Sequence, residues 1–239
     1  MSLNLKEGAF VVSDAHYSAN KPIFLEFLKD IDSKKLQPTQ LIFMGDIFDA
    51  LFGGVSRTIS KNEEAIAILK NISLHVEVIY LEGNHDFNLK KVFKNIKIFP
   101  ITKQPVSLIY EDKKILLAHG DIQSPLGYKI YTALIRNPFL LFFLNILNQL
   151  FGYFITNSVE KHLSKKDDCG EMYSFKEYIG RRLLNKYSCD YFIEGHFHQN
   201  KTINYDDFIY INLGVFACNQ RYFIVKSSKE ELLLQEQTF

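Results

Sequence analysis

An α/β (α+β) architecture follows from three features of the chain. Short runs that are apolar at nearly every position stop abruptly at polar residues, helix-compatible stretches separate the first of these runs, and the end of the chain changes to strand-like segments divided by turn residues. Runs without an exposed alternation mark strands covered on both faces, and their alternation with helices marks the α/β class.

Taken in order, Ala9 to Val12 is the first such run and ends in Ser13, Asp14, Ala15 and His16. Pro22 to Lys35 reads as a helix with Pro near its opening turn, where the missing N–H costs nothing. Leu41 to Met44 is the second run and leads into Gly45 and Asp46; a second helix is expected over Ser60 to Asn71. Val76 to Leu81 then runs into Glu82, Gly83, Asn84, His85 and Asp86, and Ile115 to Ala118 into His119, Gly120 and Asp121. A long helical insertion, residues 127–186, precedes Tyr191 to Ile193, which ends at Glu194, Gly195, His196, Phe197 and His198. Phe208 to Leu213, Tyr222 to Val225 and Leu232 to Leu234 complete the set. Either a mixed sheet or a two-sheet core with outer helices satisfies this pattern.

With 239 residues, 47% hydrophobic and 23% charged, the chain is expected to form a single domain, 1–239, with the insertion inside it. That composition excludes collagen-like, mucin-like and wholly disordered classes. Lys and Arg number 28 against 27 Asp and Glu, a net +1, so no global field draws the protein onto nucleic acid and anions must be held locally. No repeat or low-complexity linker is present, and no obligate protein partner is implied. The cysteines Cys169, Cys189 and Cys218 are odd in number, far apart and without a C-x-x-C pair. This argues against a disulfide framework or a thiolate zinc site and fits a reducing cytosol. Lys6 and Glu7 precede the first apolar run, with no signal-peptide pattern, so a cytoplasmic location is expected.

Of seven histidines, five (His16, His85, His119, His196 and His198) stand just after an expected strand, within two residues of Asp, Gly or Asn. In α/β sheets ligands collect at the carboxyl ends of strands, where loops from distant sequence positions meet. Asp14, His16, Asp46, Asn84, His85, His119, His196 and His198 would then share one rim. Carboxylate, imidazole and amide oxygen without thiolate suit Mn²⁺, Mg²⁺, Fe²⁺ or catalytic Zn²⁺, and so many donors exceed the needs of one ion. His75 and His162 match no motif and are read as filler.

The order Asp14-Ala15-His16, Gly45-Asp46-Ile47-Phe48-Asp49, Gly83-Asn84-His85-Asp86, His119-Gly120-Asp121 and Gly195-His196-Phe197-His198 resembles the calcineurin-like metallophosphoesterases. The resemblance implies a four-layer αββα sandwich and a hydrolase of phosphoesters or pyrophosphates. By position it places one ion on Asp14, His16, Asp46 and His198, and a second on Asp46, Asn84, His119 and His196, with Asp46 shared. Mn²⁺ is the ion expected first. Two ions about 3.5–4 Å apart lower the pKa of a shared water from about 15.7 to about 7. His85 would touch a phosphate oxygen or protonate the leaving group, while Asp49, Asp86 and Asp121 would orient imidazoles and loops.

Residues 138–155 distinguish among substrates. Thirteen of these side chains are apolar, five of them Phe, and Asn145, Asn148, Gln149 and Gly152 form a single helical stripe. The polar interruptions disfavour a membrane span; a wide apolar arc flanked by Lys129, Arg136, Lys161, Lys165 and Lys166 fits a helix lying on an anionic membrane surface. A helix packed into a core or against a second copy is the plainer alternative. The insertion, together with Gly45 to Ala50, Gly83 to Phe87, Tyr128, Arg136 to Leu140 and Leu213-Gly214, looks like the branch of the family that cleaves UDP-2,3-diacylglucosamine in lipid A biosynthesis. That branch releases UMP and the lipid monophosphate at the cytoplasmic face of the inner membrane. The resemblance makes Asn84, His85, Tyr128, Arg136, Lys165 and Lys166 candidate substrate contacts. The chain departs from the branch in carrying His85 where Arg is usual, and Ile122 to Leu126 where an acidic stretch is usual. His85 is the form of the wider family, which leaves cyclic nucleotides, dinucleotide polyphosphates or phosphoproteins as the alternative substrates.

Overall fold

The computed structural model describes residues 3–163, 169–228 and 231–239. Its strands are β1 (Leu3–Asn4), β2 (Phe10–Val12), β3 (Gln40–Phe43), β4 (Leu51–Phe52), β5 (Glu77–Leu81), β6 (Asp86–Phe87), β7 (Lys97–Phe99), β8 (Val106–Tyr110), β9 (Lys113–Ala118), β10 (Tyr191–Glu194), β11 (Lys201–Asn204), β12 (Ile209–Asn212), β13 (Arg221–Ser228) and β14 (Glu231–Thr238). Helices are α1 (Ile23–Asp32), α2 (Ser56–Lys61), α3 (Glu63–Ile72), α4 (Leu126–Ile135), α5 (Pro138–Leu150), α6 (Phe154–Leu163), α7 (Phe175–Leu183) and α8 (Phe216–Asn219).

Two six-stranded mixed sheets face each other. One has the order β14-β13-β2-β3-β5-β7, the other β1-β8-β9-β10-β12-β11, and β4 pairs with β6 apart from both. Val11, Ile42, Ile79, Leu108, Leu117 and Ile193 meet in the apolar layer between the sheets. On the outer face of the first sheet, Phe24, Phe27, Leu28 and Ile31 of α1 and Ala65, Ile66, Leu69 and Ile72 of α3 cover Phe10, Val12 and Phe43. Their spacing of three and four puts each set on one helical face. On the outer face of the second sheet, Phe175, Ile179 and Leu183 of α7 cover Leu116, Phe192 and Tyr210. Helix, sheet, sheet, helix is the four-layer arrangement, and coverage on both faces is why the central strands read as unbroken apolar runs.

Parallel register carries the polar loops to one edge. Val12 lies opposite Phe43 and Phe43 opposite Tyr80, so residues 13–16, 45–49 and 82–86 leave the first sheet side by side. In the second sheet Ala118 lies opposite Glu194, and the Gly195 N–H donates to the His119 carbonyl at 2.9 Å.

Three differences from the sequence reading have physical causes. The helix expected over Ser60 to Asn71 is two helices, because the Asn62 amide donates to the Thr58 and Ala50 carbonyls (2.8 and 3.0 Å) and competes with the helical ladder. The insertion is divided: Asn137 caps α5 by accepting from the Phe139 and Leu140 N–H groups, with Pro138 at the first turn, and the chain turns again before α6. Cys169 and Cys218 form a disulfide with their Cα atoms 6.1 Å apart. The odd number, wide separation and lack of a C-x-x-C pair argue against a disulfide framework, yet these two segments are adjacent in space; the bond leaves only Cys189 free, and the expectation of a reducing compartment loses the support it took from the cysteines.

Within the insertion the usual amphipathic order is reversed. The polar stripe of α5 faces the protein: Asn148 is 1% exposed, accepts from the Thr156 N–H at 3.1 Å and lies against the Thr156 hydroxyl, while Gln149 donates to the Ser56 hydroxyl at 2.9 Å. The apolar arc faces outward, with Phe139 78%, Leu150 73% and Phe154 70% exposed. Among the described residues no single helix is long and apolar enough to cross a membrane, and α4 and α5, which together have that length and composition, are bent by 62°.

Candidate metal centre

Five loops meet where the strands of both sheets end. Asp14 follows β2, Asp46 follows β3, Asn84 and His85 follow β5, His119 follows β9, and His196 and His198 follow β10. Asp14, His16, Asp46, His196 and His198 all have left-handed backbone, with φ between 45° and 60°. For residues with branched or bulky side chains this costs about 1–3 kcal/mol each and persists only where surrounding contacts enforce it. The enforcing contacts are on hand. The Asp86 carboxylate accepts from the backbone N–H groups of Asp46 (3.1 Å), Ile47 (2.7 Å) and Gly83 (2.9 Å) and from the Tyr80 hydroxyl (2.5 Å). Asp14 accepts the His196 N–H at 3.0 Å, and Asp46 accepts the His85 N–H at 2.8 Å.

The donor atoms form two neighbouring groups. Asp14, His16 and His198 each offer a ligand atom within 4.8 Å of the others, and so do Asp46, His119 and His196. Asn84 Oδ1 lies 3.3 Å from His119 Nε2, which is itself 3.3 Å from Asp46 Oδ2. His119 Nδ1 donates to the Met44 carbonyl at 2.9 Å, fixing the tautomer that leaves Nε2 turned to Asp46. Asp49 Oδ1 stands 3.1 Å from His16 Nδ1, and its carbonyl accepts from His85 Nδ1 at 3.0 Å. His16, Asp49 and His85 form a third group of the same size.

Buried charge of both signs surrounds these atoms. Burial alone would raise the Asp46 and Asp14 carboxyls, but His119 and His85 beside the first, and His198 beside the second, hold both below the usual carboxylate range. Burial would lower His119, and the Asp46 charge outweighs it and raises the ring well above its ordinary value. Burial and the His119 charge push His196 down to about 4. Asp86 is pushed up to about 7, first by burial and then by the Asp46 carboxylate.

The residues fit a pair of divalent ions. The set is carboxylate, imidazole and amide oxygen, the His119 and His16 rings are held by bonds at their other nitrogens, and the loops close around the centre at glycines that admit no side chain. A Cβ on Gly83 would stand 2.2 Å from Asp46 Oδ1, and one on Gly195 would stand 2.5 Å from Asp14 Oδ2.

Of the candidate substrate contacts, Asn84, His85 and Tyr128 line a cavity of about 580 Å³ that runs under the insertion. Its walls are otherwise largely apolar, with Phe52, Val55, Leu141, Leu144, Ile155 and Val159 among them. Arg136 lies behind Asn84: Nη2 donates to the Gly83 carbonyl at 2.8 Å and is 3.7 Å from Asp121 Oδ2. Asp121, expected to orient imidazoles and loops, meets the insertion, accepting from the Tyr128 hydroxyl at 3.3 Å. Lys165 and Lys166 lie outside the described residues. His162, set aside as filler, is part of the cavity wall; its only sequence signal was its place on the turn of α6 beyond Ser158 and Val159.

The family model for calcineurin-like phosphoesterases matches residues 9–200. The chain belongs to that family. A calcineurin-like phosphoesterase with this donor set is a metal-dependent phosphoesterase. Among curated proteins it is similar to the UDP-2,3-diacylglucosamine hydrolase of Psychromonas ingrahamii, 24% identical over 204 residues that cover 79% of each chain. It is also similar to the enzyme of the same name from Salmonella arizonae, 26% identical over 132 residues covering 54% of this chain and 55% of the relative. Among solved structures it is similar to the E. coli phosphoesterase Yfce, at 12% identity and a TM-score of 0.47, covering 96% of this chain and 98% of that one.

Proposed function

We propose that this phosphoesterase hydrolyses the pyrophosphate of UDP-2,3-diacylglucosamine, releasing UMP and 2,3-diacylglucosamine 1-phosphate, with two Mn²⁺ ions held by Asp14, His16, Asp46, Asn84, His119, His196 and His198. The observation that carries the substrate class is the cavity: an apolar space of about 580 Å³ that shares Asn84 and His85 with the candidate metal centre. Its size lies within the about 300–1,000 Å³ of small-ligand sites, and its largely apolar lining suits hydrocarbon while the end at Asn84 and His85 meets the phosphoryl chemistry. The names of the curated relatives support the same reading.

When bound, the ions supply an acidified water and positive charge at the phosphoryl oxygens. The side chains of the protein position and orient. His85 Nδ1–H is committed to the Asp49 carbonyl, so Nε2, 3.9 Å from Asp46 Oδ2, is the atom that meets the substrate. There it contacts a phosphate oxygen or protonates the leaving oxygen. Asn84 binds beside it, and Tyr128 closes the polar end with its hydroxyl on Asp121. The outward apolar arc of α4 to α6 provides the surface that meets an anionic membrane, on the cytoplasmic face of the inner membrane as the substrate's chemistry in this family implies.

Mn²⁺-stimulated release of UMP from the diacylated nucleotide sugar, with a steep loss of rate for the deacylated analogue, is the expected result. Equal turnover of the two would contradict the lipid assignment. His85, in the form of the wider family, favours a second reading, a phosphodiesterase acting on cyclic nucleotides or dinucleotide polyphosphates, and turnover of those compounds in preference to the lipid is its signature.

A further inference from the structure

Arg182 on α7 is not among the candidate ligands, and its side chain is 7% exposed. Its guanidinium is directed at two of the five loops. Nη1 and Nη2 donate to Glu194 Oε2 and Oε1, both at 3.0 Å, and Nη2 donates also to the Gly120 carbonyl at 2.8 Å. Gly120 directly follows His119, and Glu194 precedes Gly195 and His196. Glu194 Oε2 further accepts from the Tyr210 hydroxyl at 2.9 Å, and the guanidinium lies 4.9 Å from the centre of the Phe197 ring, between His196 and His198 in the chain.

These loops need external support. His196 and His198 both sit at φ 60°, and Gly120 at φ 138° lies so close to the neighbouring loop that a Cβ there would be 2.7 Å from His196 Cβ. Asn212 secures one side: its amide donates to the Glu194 and Gly195 carbonyls at 3.1 and 2.6 Å, and its Oδ1 accepts from the Gln199 N–H at 2.7 Å. That clamp begins and ends on the same loop. Arg182 is different, because its bonds span from that loop to the one carrying His119. A buried ion pair is weak evidence of stability, since apolar residues of similar volume commonly do as well. What the planar fork adds is fixed geometry between the groups it joins.

We propose that Arg182 is a positioning residue that sets His119 and His196 at ligating distance from one shared ion, through its fork to Glu194 and its bond to the Gly120 carbonyl. Asp14 and His16 hang from β2 in the other sheet, and His198 is secured through Gln199 by Asn212. Loss of Arg182 therefore weakens one ion site selectively. The inference rests on the two-ion reading of the centre.

The test is a calorimetric titration of Mn²⁺ into chelator-stripped, full-length protein: wild type, Arg182→Lys, and the double variant Arg182→Met with Glu194→Met. Lys keeps a charge opposite Glu194 without the fork, and the double variant leaves no unpaired buried charge, so a folded protein does not depend on one substitution; circular dichroism and melting check each. Both variants are expected to bind one ion as the wild type does and the second at least threefold more weakly, and addition of Co²⁺ should show the altered visible absorption at the second equivalent alone. Less than a threefold change, or equal weakening of both ions, would overturn the proposal. Wild-type protein that takes up fewer than two ions would instead refute the two-ion centre itself, and that outcome is seen before any variant is compared.

Discussion

At the scale of single residues, the strained backbone identifies where the molecule has been arranged for chemistry. Five left-handed residues that are not glycine stand within one cluster, where the Asp46 N–H is held by Asp86, the His196 N–H by Asp14, and the Asp14 and His16 N–H groups by the Gly45 and Asp46 carbonyls. Asp46→Ala and His119→Ala each remove a donor from the centre. Because residues that merely orient ligands typically cost about 10–100-fold, loss of a donor should lower metal-dependent hydrolysis by more than about 100-fold. Circular dichroism should show the fold retained, and wild-type turnover in both variants would refute the assigned roles. The ligand types were legible in the sequence because each stands in a short polar motif within a few residues of the end of an apolar run. Asp49 and Asp86 were legible as orienting residues only through the family resemblance; that Asp86 anchors several groups at once was not, because locally it looks like any turn aspartate. Arg182 reaches Glu194 and Gly120 through tertiary contacts that leave no local pattern.

At the scale of elements, α5 shows what periodicity reveals and what it leaves open. The stripe of Asn145, Asn148 and Gln149 was readable at helical spacing, but spacing does not say which face is inward. Asn148 satisfies its amide against Thr156, and the phenylalanines are left outside. Exposed apolar patches of this kind mark interaction surfaces. Replacing Phe142 and Phe143 together by Ser should leave the stability nearly unchanged, since exposed substitutions usually move it by within about 0.5 kcal/mol. The same change should reduce sedimentation with vesicles containing anionic lipid by about tenfold or more, because each buried aromatic contributes about 1.5–3 kcal/mol. Undiminished vesicle binding would remove the proposed membrane role from this face. A second element-scale prediction concerns the seam at β5. Glu77 is held at about 2, chiefly by hydrogen bonds from Lys6 and Lys97, against burial that raises it. A carboxyl lowered in the folded state stabilises above its ordinary value near 4.5 and loses that contribution as pH falls toward 2. The gap in urea midpoint between wild type and Glu77→Gln should therefore be widest above pH 5 and narrow steadily at lower pH; a gap independent of pH would contradict the assignment. Partial exposure of the pair keeps the expected gap small.

At the scale of the whole molecule, two sheets from distant parts of the chain bring their strand ends to one edge, and that convergence makes five short motifs into one centre. The central strands and the two-faced coverage could be read from unbroken apolar runs. Short edge strands such as β1, β7 and β11 could not, because two to four residues carry no period and pair only once their neighbours are in place. The link from Cys169 to Cys218 was hidden for the same reason, since parity says nothing about which chain segments are adjacent in space. The central claim, that the sheets jointly hold two ions, is tested most directly by anomalous diffraction from crystals grown with Mn²⁺. The map should show two peaks about 3.5–4 Å apart, one beside Asp14 and His198 and the other beside His119 and His196, with Asp46 between them. A single peak, or peaks away from these side chains, would contradict it.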